Sequence, residues 1–446
     1  MRETRDAQSS IFEFYAEHEL GQQLRALSEL LDDSPGLLPL IGSDLLGADT
    51  ACTGAKGLSV ESVFRCLLLK QILQVSYEKL AFHLCDSPTY RTFARLNSEQ
   101  LPSRSGLQST IRRITPQTLK KLNQSLMCEW VFQGELSVDS LRIDSTVVLS
   151  NIHAPSDSQL LNDGIRVLSR MMAMSKKRLG IKLRFTDQRK RSKSLAFQIF
   201  NAKNAKKQVL YPKLLRCTWI VLNQVERAIS TVQLAQANSE SVQRWIETVE
   251  HYRYLLQRVL DQTQRRVYSD EKVPASEKIV SLFEAHSDII VKGEREILYG
   301  HKINLATQED GFITYLNIET GNPSDSALYL PVLLACDSDY ECKPTNVVAD
   351  GCYASVENVT QAKAMGVKRN VFNKPAGLSY TAMGVKKKTF AKWKHFRAGV
   401  EGNISELKRA FGASKAMWKY EDGFNAFVWS SVLCYNLIRK VRFSSA

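Results

Sequence analysis

The chain has 446 residues, 44% of them hydrophobic, and a net charge of +14 at neutral pH. That length allows roughly two to four domains of about 100–200 residues each, and the composition is that of a folded protein rather than a disordered one. No run approaches the roughly 18 apolar residues of a membrane span, and the charged start MRETRDAQSSIFEFY has no apolar signal stretch, so the expectation is a cytoplasmic protein without a membrane partner.

Residues 1–50 read as an N-terminal helix (about Ile11 to Leu31) and a Pro/Gly linker, DDSPGLLPLIGSD. Residues 51–136 read as a helical domain. LSVESVFRCLLLKQIL is apolar at helical spacing, and Ser76, Ser87-Pro88 and Thr115-Pro116 are N-cap signals for the helices after them. Short consecutive helices with Lys and Arg between them resemble helix-turn-helix DNA-binding modules; an ordinary helical bundle fits the pattern equally well. The nine cysteines stand singly with no CxxC pair, which argues for reduced thiols over zinc or a disulfide framework.

DSLRIDSTVVLS, residues 139–150, turns to β-branched residues and predicts a strand around Asp144. Residues 155–290 read as an all-helical, basic insertion with long helices over about 214–236 and 240–267. Between Lys176 and Arg216 stand fourteen Lys and Arg against one acid, Asp187. Such a field favours a polyanion, so Lys190, Arg191 and Lys193 are expected on DNA. HKINLA and FITYLNI predict a hairpin, followed by a helix, the strand TNVVAD, a helix, the strand VKRNVF, and a helix carrying HFRAGVEGNISELK. The apolar C-terminal stretch predicts a buried helix.

With the insertion set aside, residues 137–154 and 291–446 give the order β–β–β–α–β–α–β–α–α. This is an α/β arrangement, a mixed five-stranded sheet of ribonuclease-H-like order with a helical N-terminal domain and the insertion between the first and second strands. The order would bring Asp144, Asp350 and Glu401 to one sheet edge. Asp144 in an apolar strand is costly unless ligated or hydrogen-bonded. Glu401 could instead pair with Arg397 and Lys408, which share its helix face at spacings that return every 3.6 residues. Three oxygen-donor acids suit Mg²⁺ or Mn²⁺, with two ions expected. Arg397 and Lys408 are then read as contacts to DNA phosphates rather than as partners of Glu401, with His301, Lys302 and Lys394 beside them. Cys352 is read as a small packing residue. Trp393 and Trp418 are read as core, with base stacking as the alternative.

These residues resemble bacterial insertion-sequence transposases of the DDE class, most closely the ISNCY-type group. The resemblance rests on IDSTVVLSNIHAPSDSQLLNDGIRVLSR, SLFEAHSDIIVKGEREILYGHKINLAT, GNPSDS, VVADGCYAS and the spacing R-x3-E-x6-K. It implies metal-binding roles for Asp144, Asp350 and Glu401. It also implies cleavage at the ends of a mobile element, then transfer of the 3′-hydroxyl to target DNA. Terminal inverted repeats and target DNA would be the partners, with a homodimer or larger assembly on the ends and a nucleoid-associated location. Relatives carry Tyr where this chain has Lys394. A structure-selective nuclease and a DNA-binding regulator with an inert core are the alternative readings.

Overall fold

Capping fixes where most helices begin. In the computed structural model, which describes residues 3–5, 14–46, 57–97, 101–235, 239–292, 296–374 and 377–444, Ser59, Ser76, Ser87, Ser103, Thr115, Ser156 and Ser355 each accept a backbone N–H in the first turn of the following helix. Each such cap is worth about 1 kcal/mol. The elements run α1 (Glu19–Asp32), α2 (Leu37–Leu46), α3 (Val60–Ile72), α4 (Tyr77–Asp86), α5 (Pro88–Phe93), α6 (Arg104–Ile111), α7 (Pro116–Phe132), β1 (Ser140–Ser150), α8 (Asp157–Leu179), α9 (Arg189–Asn201), α10 (Asn204–Ala235) and α11 (Glu240–Tyr268). They continue β2 (Asp288–Lys292), β3 (Glu296–Thr307), β4 (Ile313–Ile318), α12 (Tyr329–Tyr340), β5 (Asn346–Ala349), α13 (Val356–Ala364), β6 (Arg369–Phe372), α14 (Lys387–Ala410), β7 (Lys415–Ala416) and α15 (Glu421–Ser444).

The chain divides into two units, residues 1–149 with 301–446, and residues 150–300. In the first, the sheet order is β4–β3–β1–β5–β6, with β7 added to β1. β3 and β4 are an antiparallel hairpin, and β1, β5 and β6 are parallel neighbours. This is the ribonuclease-H-like order. Gly311 closes the hairpin turn at φ +82°, donating to the Gln308 carbonyl.

Two cores hold this unit. The larger joins α1, α3 and α7 to β3, β4 and α15 through residues such as Leu24, Leu68, Leu126, Leu305 and Val432. The helical N-terminal part therefore shares its core with the sheet. α15 is buried along nearly its whole length, as its apolar sequence predicts. The smaller core sets Val347, Val348 and Val371 against Tyr329, Val332 and Val359. Each fully buried aliphatic side chain contributes roughly 1.5–3 kcal/mol.

In the second unit α8–α11 pack around Leu161, Leu168, Val221, Val225 and Leu256. A hairpin of β2 with the first half of β3 completes it.

Several local expectations change. α1 starts at Glu19 with the His18 ring as its cap, and the expected start at Ile11, like Cys52, lies outside the described residues. The stretch expected as a linker forms α2, because Pro39 falls in the first turn, where a missing N–H costs no helix bond. The basic segment, expected as all-helical, is helical only in part: it takes in the end of α8, residues 181–188 outside any helix, α9 and the start of α10. α10 runs through Pro212, which is exposed and marks no boundary. β2 was not expected. Its alternating pattern is short and falls inside a segment dominated by helix.

Candidate active site

The β1–β5 register sets the site. Ile143 lies opposite Ala349, so the following residues, Asp144 and Asp350, stand side by side on parallel strands. Asp350 is where β5 ends and a single 3₁₀ turn begins. α14 packs against β5 and β6 and brings Arg397 and Glu401, one turn apart, over that edge.

All three acids meet one guanidinium. Arg397 Nη2 donates to Asp144 Oδ2 at 2.7 Å and lies 3.7 Å from Asp350 Oδ1, while Nη1 donates to Glu401 Oε1. The Arg397 side chain is only 12% exposed, whereas that of Glu401 is 62% exposed. Exposure decides how the two ends of the cluster differ: the Asp144 end is held, and the Glu401 end is open to solvent.

The carboxyls are driven apart in acidity. Burial pushes Asp144 up to about 6, against the pull of Arg397 and the Ser145 N–H, with Asp350 and Glu401 adding to the rise. Burial also acts upward on Asp350. There the Gly351 N–H, Arg397 and the Asn373 and Cys352 side chains outweigh it, and the carboxyl falls below its ordinary value.

Two supports of the site are not evident in the sequence. Behind Asp144, Ser145 Oγ donates to Asp325 Oδ1 at 2.9 Å, and Lys302 Nζ donates to the same oxygen at 3.2 Å and to the Pro323 carbonyl at 2.7 Å. Asp325 belongs to the GNPSDS stretch, which was the one available signal. The second support ties α14 to β1. Arg142, two residues before Asp144, lies 4.4 Å over the Phe396 ring and donates to the Glu309 carbonyl at 2.5 Å. Gly399 leaves room for it: a Cβ there would stand 1.8 Å from Arg142 Nη1.

The other expected site residues fall in different places. Arg397, expected on phosphates, faces the acids, because three converging carboxylates outcompete solvent for a half-buried cation. Lys302 is engaged by Asp325 and Pro323 rather than turned to DNA. His301 is almost fully buried, its ring edge-on to Phe424 at 4.8 Å and Nδ1 3.2 Å from the Glu319 carbonyl. Its place in a strand packed under α15 takes it from the surface. Cys352 is exposed and hydrogen-bonds Asp350 instead of packing.

Lys394 is exposed one turn before Arg397, and Lys408 is half-buried two turns beyond Glu401. Lys386, Lys387, Lys388 and Lys392 are exposed around the start of α14. Cations at a helix N-terminus oppose its dipole, so their placement works against helix stability and suits an anionic partner. Lys190, Arg191 and Lys193 are exposed on the first turns of α9, in the other unit. Trp393 is half-buried against Phe396, and Trp418 is buried.

Among the described residues no group of three or more His, Cys, Asp or Glu stands ready to hold a metal ion. The three acids surround a guanidinium rather than one another. Their donor set, all carboxylate oxygen around a single cation, is nonetheless that of a hard divalent ion.

The ribonuclease-H-like sheet with its helical N-terminal region is the fold of the DDE class. Residues 292–437 match the family model described as "Transposase DDE domain", and residues 12–113 match "Transposase domain (DUF772)". The chain belongs to the DDE transposases of insertion sequences. Asp350 and Glu401 lie within the first match, and Asp144 precedes it. No curated protein and no solved structure matches the chain. Among the described residues no helix is long and apolar enough to cross a membrane.

Proposed function

We propose that this DNA transposase cuts phosphodiesters at the ends of its element and joins the freed 3′-hydroxyl to target DNA, with Asp144, Asp350 and Glu401 as its acid site. The observation that carries the reading is the convergence of these three carboxylates, from β1, the end of β5 and α14, on one cationic centre.

The acids would hold one or two Mg²⁺ or Mn²⁺ ions. Bound there, such ions activate an attacking water or hydroxyl and stabilise the leaving oxygen. The chain's own residues prepare the place. Ser145 and Gly351 donate backbone N–H groups to Asp144 and Asp350 and keep them oriented. The Asp325–Ser145–Lys302 network fixes the chain behind Asp144, and Arg142 fixes α14 against β1. Arg397 neutralises the acids until they take up cations. Released, its planar fork suits two oxygens of a DNA phosphate. Lys394, Lys408 and the lysines at the start of α14 extend that contact along the strand. Lys190, Arg191 and Lys193 form a second contact on the 150–300 unit. Two element ends must be held together for joining, so the working assembly is at least a dimer on DNA, in the cytoplasm with the nucleoid.

The test mixes purified protein, Mg²⁺ and duplexes carrying the inverted repeats that flank the gene. Nicks at the repeat boundary and joined products support the reading. Cleavage without joined products reduces it to a nuclease of the same fold.

A further inference from the structure

A second site lies away from the acids, where the α3–α4 turn meets the start of α6 and residues 412–418. It is a cavity of about 480 Å³, inside the roughly 300–1,000 Å³ range of small-ligand sites.

One of its buried polar groups is the Lys70 ammonium. Lys70 is 7% exposed, and its Nζ stands 4.8 Å from the Tyr77 ring centre and 5.3 Å from that of Trp418. Among the described residues it has no carboxylate partner. Burial lowers it to about 8. Tyr77 Oη and Trp418 Nε1 are buried and have no hydrogen-bond partner among the described residues. One cavity is thus walled by a buried ammonium over two rings and by two residues that each carry an unpartnered polar atom. A buried ammonium in a cleft, with no carboxylate beside it, marks a candidate binding site.

The lining says what the occupant is. The Lys70 ammonium asks for an anion. Arg104 and Lys415 add positive charge, against one acid, Glu78. Tyr77, Trp418 and Phe427 offer rings to a flat apolar group. An anion attached to a flat ring, on a protein that handles DNA, is a nucleotide. We propose that this cavity binds one nucleoside monophosphate unit, free or at the end of a DNA strand, with its phosphate on Lys70 and its base against the rings. Every base has a face that can stack on such rings.

The site also touches the catalytic helix. Gln71 Nε2 donates to the Phe411 carbonyl at 2.6 Å, and Gln74 Nε2 donates to the Arg409 and Ala410 carbonyls at 2.8 and 2.9 Å. The cavity floor is thereby bonded to the end of α14, the helix that carries Glu401.

The proposal does not depend on the acid site, and calorimetry on the full chain tests it. dAMP, deoxyadenosine and inorganic phosphate are titrated into the wild type and into Lys70→Met, Trp418→Phe and Asp350→Asn. The expected result is dAMP binding at least about tenfold tighter than either half alone. Lys70→Met and Trp418→Phe should each lose about tenfold, while Asp350→Asn keeps the wild-type affinity. Lys70→Met removes a buried charge and should fold at least as well as the parent; Trp418→Phe probes the same site by a different wall. A wild type that ignores dAMP overturns the proposal, as does equal binding by both site variants, or phosphate binding as tight as dAMP. A hairpin with one unpaired terminal nucleotide is then added as competitor. Displacement of dAMP assigns the site to strand ends, and no displacement assigns it to free nucleotide.

Discussion

Arg397 donates to Asp144 across 2.7 Å, joining residues 253 positions apart in the chain. The same guanidinium reaches Asp350 and Glu401. A cation thus stands where the three acids converge, and the consequences can be measured.

Removing it should expose competition for the acids. Arg397→Gln leaves Asp144 and Asp350 as like charges in a partly buried site. Breaking such a pair from one side costs about 3–5 kcal/mol when it is fully buried and less here. Mn²⁺ should restore more stability to the variant than it adds to the wild type, because ligands stabilise the state that binds them. Thermal melts with and without MnCl₂ read this directly. Equal Mn²⁺ shifts in both proteins would show that Arg397 does not compete for the acids.

Gly399→Ala should disturb the seat of α14. Its Cβ must move the Arg142 guanidinium off the Phe396 ring. Overpacking of this kind costs about 1–3 kcal/mol. The variant should melt earlier and cut element ends more slowly, and Arg142→Ala in the same chain should recover part of the loss. A double-mutant cycle with no coupling between these positions would remove Arg142 from the account.

Lys70 sets a pH dependence of stability. Its folded pKa of about 8 lies below the ordinary 10.5. Between those values the unfolded chain binds more protons, so the stability of the wild type rises with pH through that window. The shift corresponds to about 3 kcal/mol at 1.36 kcal/mol per unit, reduced by roughly 0.5–2 kcal/mol of cation–π attraction. Lys70→Met should therefore be more stable than wild type at pH 7 by about 1 kcal/mol, and the gap should narrow above pH 8. Denaturant titrations at pH 7, 8 and 9.5 check the sign. A gap that widens with pH contradicts it.

Neutralising Lys190, Arg191 and Lys193 together should weaken DNA binding. If all three meet phosphates, the slope of log K against log salt falls by about 0.9 for each. An unchanged slope removes α9 from the DNA contact.

Much of this was legible in the sequence, for identifiable reasons. Serine and threonine caps and prolines at first helical positions mark α4, α5 and α7 because those side chains satisfy free N–H groups locally. The β-branched runs around Asp144 and before Asp350 mark strands because burial on a sheet demands them, and together they imply the order that brings the acids to one edge. The partner of a charge was not legible. Glu401 and Arg397 are neighbours by helical spacing, but Asp144 and Asp350 reach the same guanidinium only through strand register. Lys302 and His301 look surface-exposed as sequence, and only the packing of β3 under α15 and beside Asp325 shows otherwise. Lys70 is hidden for the same reason: nothing in CLLLKQIL says that its ammonium ends between Tyr77 and Trp418.

The most direct measurement takes Asp144→Asn, Asp350→Asn and Glu401→Gln, each confirmed to be folded, and follows nicking at the inverted-repeat boundary in Mg²⁺. Loss of several kcal/mol of transition-state stabilisation predicts a fall on the order of 10³-fold or more for each, with DNA binding retained. Nicking by any one of them at the parent rate would contradict the assignment of these three carboxylates as the acid site.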